Sequence, residues 1–403
     1  MKSVVGMKVY PRLVLDISFY DLLVAVLSFL VPIERARITH QIQAFWGIDR
    51  EVLVTLSVRT SLDLFLQALD LPHGSEILMS AVNITHMVEI VERHHYIPVV
   101  VDIDLETLAP SLELLQASIT SKSRVFVIAH LFGTVTPLEA YLEVCRAHNI
   151  LLVEDCAQAF AGLRYLGDSN ADISLFSFGP IKSCTALGGA VMLVRDKALA
   201  KSIQAIEQTY PSKSEGWFFV RLCKYLGLKF LSIPEIFGLL IGCLQRFQKD
   251  PDSLINSLTR GFPKGDILAQ LRYRPPNRML GLLQNRLQHL DSSHFDKREH
   301  YAREFLSLLG DRIFPLGSKA AQHSYWLVPI MIDDPVLLMA KIRAEGFDPT
   351  RGTTSLRSIG EASIQAKQLI ENVLYLPIHP TLSEVQLLHL AQIINSHPSD
   401  PKE

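Results

Sequence analysis

This 403-residue chain is short of several features that would announce a function. It has five cysteines, Cys145, Cys156, Cys184, Cys223 and Cys243, with no CxxC pair and no regular spacing. That argues against a disulfide framework or a zinc site and fits a reducing compartment, the cytoplasm. An excess of either charge is also missing, because 39 Lys and Arg stand against 41 Asp and Glu. Nucleic acid is therefore set aside as a partner. There is no Walker loop, Rossmann glycine motif, Ser/His/Asp elbow, repeat or low-complexity tract. The start, MKSVVGMKVYPRLVLD, lacks the layout of a signal peptide. Long clean apolar runs are absent too. ISFYDLLVAVLSFLV (17–31) carries Asp21, and LKFLSIPEIFGLLIGCL (228–244) is broken by Pro234 and Glu235. Each falls short of the ~20 apolar residues of a spanning helix. Buried helices or a face between two copies are the plainer account; contact with a membrane surface through 217–247 is the alternative.

What is present is an alternation. Short apolar runs predict strands: VLVTL (52–56), EILMS (76–80), PVVVDID (98–104), RVFVIAH (124–130), ILLVED (150–155), DISLFSF (172–178) and GGAVMLV (188–194). Amphipathic stretches such as TSLDLFLQAL (60–69) and LEAYLEVCRAH (138–148) lie between the first five. Strands that read as continuous apolar runs, alternating with helices, predict an α/β fold with a mostly parallel central sheet flanked by helices. Three units follow: an N-terminal helical segment, 1–49, packing with the small domain; a large α/β domain, 50–275; and a smaller C-terminal α+β domain, 276–403. The last contains HSYWLVPIMI (323–332) as a strand, a helix ended by Gly346, and a helix near SEVQLLHLAQII (383–394). The basic, proline-bearing LTRGFPKGD (258–266) reads as a connector.

Ligands of open α/β sheets gather at the carboxyl ends of strands. Polar residues fall at those ends: Ser57 and Arg59, Asn83, His130, Asp155 with Gln158, Ser177, and Lys182. Taken singly, each has a plain structural account, as a cap or a surface group. A carboxylate, a hydroxyl and a lysine gathered at neighbouring strand ends say more. A pyridoxal phosphate site needs a lysine for its Schiff base, an acid for the pyridine nitrogen and donors for the phosphate. Burial lowers a lysine pKa, so the amine can serve as nucleophile and then as base. ERHHY (92–96) suggests no metal, because adjacent histidines on a helix point apart.

The segments LLVEDCAQAFAG (151–162) and SFGPIKSCTALGGAV (177–191), with VIAHLFGTVTPLE (127–139) before them, are similar to signatures of the DegT/DnrJ/EryC1/StrS family of sugar aminotransferases of fold type I. The resemblance covers about residues 50–200 and returns weakly in HSYWLVPI and LYLPIHPTLSEVQ (374–386). It implies roles one by one. Lys182 stands where the family's Schiff-base lysine stands, Asp155 where the acid meets the pyridine nitrogen, Gln158 near the phenolic oxygen, and Ser177 at the phosphate. The phosphate loop reads SVRT (57–60), with Val58 and Arg59 in place of the family's glycine and threonine. Ile84 falls where the ring-stacking aromatic belongs, with His86 nearby, and either is a candidate to cover the ring. Leu187 replaces the Glu of Glu-Gly-Gly, Gly179 replaces a histidine, and 211–275 diverges.

The implied function is pyridoxal-phosphate-dependent transfer of an amino group, from a donor such as glutamate to a keto group on a nucleotide-linked sugar or related metabolite. The partners implied are a small-molecule donor, a keto acceptor and a second copy in a homodimer. A non-catalytic regulator on the same fold, or a lyase or dehydratase, are the alternatives. Retention of Lys182 argues against both.

Overall fold

The computed structural model describes residues 8–397 apart from 13, 48, 248–264, 312 and 352–355, so the connector 258–266 lies almost wholly outside the described residues. Two helices come first, α1 (Phe19–Leu27) and α2 (Arg35–Phe45). Ser18 opens α1 in a reciprocal capping box with Asp21. The alternation predicted from sequence follows: β1 (Glu51–Thr55), α3 (Val58–Leu69), β2 (Glu76–Ser80), β3 (Val82–Ile84), α4 (Thr85–Arg93), β4 (Ile97–Val101), α5 (Leu112–Ser118), β5 (Ser123–Ala129), β6 (Thr134–Val135), α6 (Glu139–Ala147), β7 (Leu151–Asp155), β8 (Ile173–Ser177), β9 (Ala190–Val194) and α7 (Lys197–Thr209).

Seven of these strands form one sheet in the order β1-β9-β8-β7-β5-β2-β4. Five of them, from β8 through β4, run parallel, while β9 is antiparallel to both β8 and β1. The continuous apolar runs have a direct cause: both faces are covered. Along β2 and β5, Ile77, Met79, Val125 and Val127 enter a core shared with α3, α4 and α7. The intervening Leu78, Phe126 and Ile128 enter another core shared with α5 and α6. Truncating a fully buried Leu78 to Ala is a change that costs ~2–5 kcal/mol in such cores.

The chain then makes α8 (Glu215–Leu231), α9 (Pro234–Arg246), α10 (Ile267–Leu271), α11 (Asn277–Gln288) and α12 (Ser292–Ser307). Both α1 and α2 pack on α11, and α1 also packs on α8. The remaining elements are β10 (Phe314–Pro315), β11 (Gln322–His323), β12 (Val328–Met331), α13 (Pro335–Ala344), β13 (Leu356–Ser358), α14 (Ile364–Asn372), β14 (Val373–Leu376) and α15 (Glu384–Asn395). An antiparallel sheet, β10-β12-β14, shares a core with α13 and α15. Two short ladders, β13 on β3 and β11 on β6, join this C-terminal part to the rim of the large sheet. A buried ion pair, Arg12 Nε to Asp348 Oδ2 at 2.7 Å, ties the N-terminal segment to it as well. Two of the predicted strands differ from the structure. The run 98–104 leaves the sheet after Val101, and 323–332 is two strands rather than one.

Candidate active site

The carboxyl end of β7 carries two adjacent acids on opposite faces, as strand alternation requires. Asp155 is buried, and its Oδ1 accepts the Ala157 N–H at 2.9 Å. Burial pushes its carboxyl above the usual range, opposed by that hydrogen bond and by the positive charge of Lys182. Glu154, on the other face, is fully buried in a network. It accepts from Tyr165 Oη at 2.5 Å, from the Asp168 N–H at 2.7 Å, and from Ser174 Oγ. His130 Nε2 lies 3.2 Å from Glu154, while His130 Nδ1 accepts the Thr136 N–H, so the ring proton sits on Nε2 and points at the carboxylate. His130, Glu154 and Cys156 bring their ligand atoms within 4.8 Å of one another. The Glu154 oxygens are already engaged, which makes this a hydrogen-bonded support beneath Asp155 rather than a metal cage.

The next strand ends at Ser177, whose Oγ accepts the Gly179 N–H at 3.4 Å. A tight turn then leads into β9. Lys182 N–H donates to Gly179 O at 3.0 Å, and Thr185 Oγ1 donates to the same oxygen at 2.7 Å. Cys184 and Leu187 both take left-handed backbone angles, φ 53° and 61°. The Cys184 N–H donates to Asp16 Oδ2, and the Leu187 N–H to Thr185 Oγ1. Outer support comes from Arg298 on α12, which donates to Ser183 Oγ at 2.9 Å and to Ser324 O at 2.8 Å.

This turn presents Lys182. Part of the side chain stays accessible, but burial still dominates its amine and pushes the pKa down to about 7. Asp155 opposes the shift by favouring the ammonium, and Arg59 adds to it. The amine sits 4.0 Å from the centre of the Trp326 ring. Trp326 donates its indole N–H to Ile181 O at 3.0 Å, so it grips the same turn twice. No motif in the sequence singles out Trp326. Its neighbours His323 and Tyr325 stack on each other, ring centres 3.9 Å apart, with Arg303 over the Tyr325 ring.

Arg59 occupies the first turn of α3, which Ser57 caps by accepting the Thr60 N–H. Burial lowers its pKa to about 10, and Asp155 opposes that. A cation at a helix N-terminus is an anion-binding arrangement, since first-turn amides lack intrahelical acceptors. The Val58 side chain packs into the core beneath α3, so only its backbone can face a ligand. His86, on α4, is lowered by burial and by the nearby Arg59 charge. Ile84 ends β3, half-buried and paired with Leu356. Just before it, Asn83, one of the polar residues expected at a strand end, is buried with Nδ2 unpartnered. Gln158 accepts the Phe132 N–H through Oε1 at 2.8 Å, near the end of β5. Lys182, Asp155, Arg59 and His86 therefore form one electrostatic group, while Gln158 and Ser177 are held by backbone partners beside it.

Residues 34–225, which contain this whole group, match the model of the DegT/DnrJ/EryC1/StrS aminotransferase family. Over that segment the chain is similar to this family. Among curated relatives, GDP-perosamine synthase of Escherichia coli O157:H7 is 32% identical over 142 residues, 34% of this chain and 39% of the relative. L-glutamine:2-deoxy-scyllo-inosose aminotransferase of Streptomyces fradiae is 30% identical over 156 residues, 38% of this chain and 37% of the relative. The match thus spans less than two fifths of the length of either relative. Solved structures match nearly end to end. PseC of Helicobacter pylori gives a TM-score of 0.70 at 15% identity, covering 96% of this chain and 98% of that one. NtdA of Bacillus subtilis gives 0.69 at 18% identity, covering 95% and 83%. DesV of S. venezuelae gives 0.66 at 19% identity, covering 93% and 94%. At such identities these structures speak for the fold: a large, mostly parallel sheet flanked by helices.

Proposed function

We propose that this chain is a pyridoxal-phosphate-dependent aminotransferase that moves nitrogen from an amino-acid donor, such as glutamate, to a keto group on a sugar or related metabolite. The names of its relatives point to sugar substrates, and NtdA was solved with the aminated cofactor bound. The observation that carries the reading is Lys182. A half-buried primary amine with a pKa near 7 stands beside a buried carboxyl, with a cation at a helix N-terminus close enough to affect both.

These donors fit the cofactor. Lys182 would hold it covalently and Asp155 would face its ring nitrogen. Gln158 would lie toward the phenolic oxygen. Ser177, Arg59 and the Val58 amide would take the phosphate, and Ile84 or His86 would cover the ring. The unpartnered Asn83 Nδ2 is a further donor left over at the same rim. When bound, pyridoxal phosphate supplies an electron sink for the carbanion at the donor's α-carbon. The protein does the rest. Lys182 Nζ, with its pKa lowered to about 7 and so part neutral near physiological pH, takes the α-proton and returns it on the acceptor side. Asp155 keeps negative charge opposite the ring nitrogen, and Trp326 limits water at the amine. A homodimer and a cytoplasmic location belong to the same reading; membrane contact through 217–247 is a separate proposal.

The test is spectroscopic. Wild-type protein given pyridoxal phosphate is expected to develop the protein-bound absorbance band and to lose it on addition of glutamate. Lys182→Ala is expected to do neither, and survival of both in that variant would end the reading.

A further inference from the structure

Two apolar helices of this chain have a covered face and a bare one. On α1 the buried residues are Asp21, Leu22 and Ala25, while Phe19, Tyr20, Leu23 and Leu27 are exposed. On α8 the buried residues are Phe218, Leu222 and Tyr225, while Phe219, Val220, Leu226 and Phe230 are exposed. Gly216, Cys223 and Gly227 complete that outer stripe at three- and four-residue spacing, so no charged group interrupts it.

The two stripes form one surface. Phe29, just past α1, meets Phe219 near the start of α8, ring centres 5.3 Å apart. At the other end, Lys229 Nζ lies 6.0 Å from the Phe19 ring and donates to Leu15 O. The helices are therefore antiparallel neighbours. They touch along corresponding borders of their stripes, which turns both bare stripes to the same side. α9 follows with Leu239 exposed, and its axis bends 92° from α8. Among the described residues no single helix is long and apolar enough to cross a membrane.

Charge says what covers this surface. From Glu215 to Arg246 the acids are Glu215 and Glu235, against Lys224, Lys229 and Arg246, while Arg221 turns inward and donates to Leu187 O. Both acids are engaged: Glu215 accepts the Asn277 and Arg278 N–H groups, and Glu235 pairs with Lys8 at 2.6 Å. Asp21 is buried and paired with Arg286. On the wheel of α8, Lys224 borders the stripe on one side and Lys229 on the other, where long side chains reach past apolar contacts to a polar boundary. A second copy seated here by a twofold axis would set this cationic border against itself. We propose that the composite α1–α8 face lies in the surface of a bilayer containing anionic lipid, in the plane of the headgroups. This goes beyond the aminotransferase reading and does not rest on it. It enlarges the contact from 217–247 to include α1 and specifies the lipid.

Vesicle flotation of the full chain tests it. Wild type is expected to float with phosphatidylcholine vesicles containing phosphatidylglycerol, and far less with phosphatidylcholine alone or in high salt. Leu23→Glu combined with Val220→Glu is expected to cut the bound fraction by roughly tenfold or more. Lys224→Gln is expected to weaken binding to the anionic vesicles alone. Thermal melts and the cofactor absorbance of the variants are expected to match wild type, which separates this result from the fate of the active-site reading. Equal flotation on both vesicles, flotation unaffected by the two glutamates, or no flotation at all overturns it. So does a dimer that the glutamates split while vesicle binding stays absent.

Discussion

The Nζ atom of Lys182 lies 4.0 Å from the centre of the Trp326 ring, and the Trp326 indole N–H reaches back to Ile181 O in the same turn. The ring face favours the ammonium, whereas burial favours the neutral amine, and burial wins, with a pKa of about 7. In the cofactor-free protein, reductive methylation of Lys182 followed by mass spectrometry should therefore rise with a midpoint near pH 7, well below surface lysines. The stability consequence has a definite sign. The folded pKa lies below the ordinary 10.5, so the unfolded chain binds more protons between those values. Stability of the cofactor-free protein should rise with pH from about 7 to about 10.5, and Lys182→Met should flatten that slope in denaturant melts.

Trp326 should report on the site. The chain has three tryptophans, and this is the one against the reactive amine. A cofactor held by Lys182 absorbs where indole emits, so pyridoxal phosphate should quench the emission. Trp326→Phe should remove most of that quenching while leaving the absorbance band in place. Undiminished quenching in that variant would show that the cofactor sits elsewhere.

Asp155 and Arg59 should fail in different ways. Asp155→Asn keeps the shape but removes the charge opposite the ring nitrogen, and turnover should fall ~10²–10⁴-fold with the cofactor retained. Arg59→Gln removes a charge-assisted contact of ~1.5–3 kcal/mol, so cofactor affinity should weaken roughly ten- to hundredfold. Titrating the absorbance band separates the two effects. Similar losses of affinity in both variants would contradict the division of roles.

The sheet was legible because parallel strands buried on both faces have to be apolar throughout, as in β2, β5 and β7. Where expectation and structure part, a tertiary contact decides. The run 98–104 ends at Val101 because Asp102 leaves the sheet to accept the Gln365 and Ala366 N–H groups at the start of α14. The run 323–332 breaks at Tyr325, φ 47°, where the chain passes so close to Gly133 that a Cβ there would meet Trp326 N at 2.6 Å. That break turns Trp326 toward Lys182, and neither hydropathy nor spacing encodes it. Lys182, Asp155 and Arg59 could be picked out because each is a charge at the end of an apolar run. Asn83 falls at a strand end by the same rule, but its unpartnered amide was not legible, since only burial in the fold creates it.

Glu154 provides the last prediction. It is fully buried, yet its pKa is lowered from 4.5, because His130, Ser174 and Tyr165 together outweigh the burial that would raise it. A depressed carboxylate contributes stability that is present above its unfolded pKa and is lost as pH falls through the folded one. Wild type should therefore lose stability on acidification below about pH 4.5. Glu154→Gln should remove that part of the loss and cost ~1–3 kcal/mol at neutral pH, since an amide satisfies only some of the donors. Glu154→Leu strands His130, Tyr165 and Ser174 together and should cost ~3–5 kcal/mol. Urea melts at pH 7 and pH 4 for the three proteins measure all of this. A leucine variant as stable as wild type would mean that the network beneath Asp155 contributes nothing to the fold.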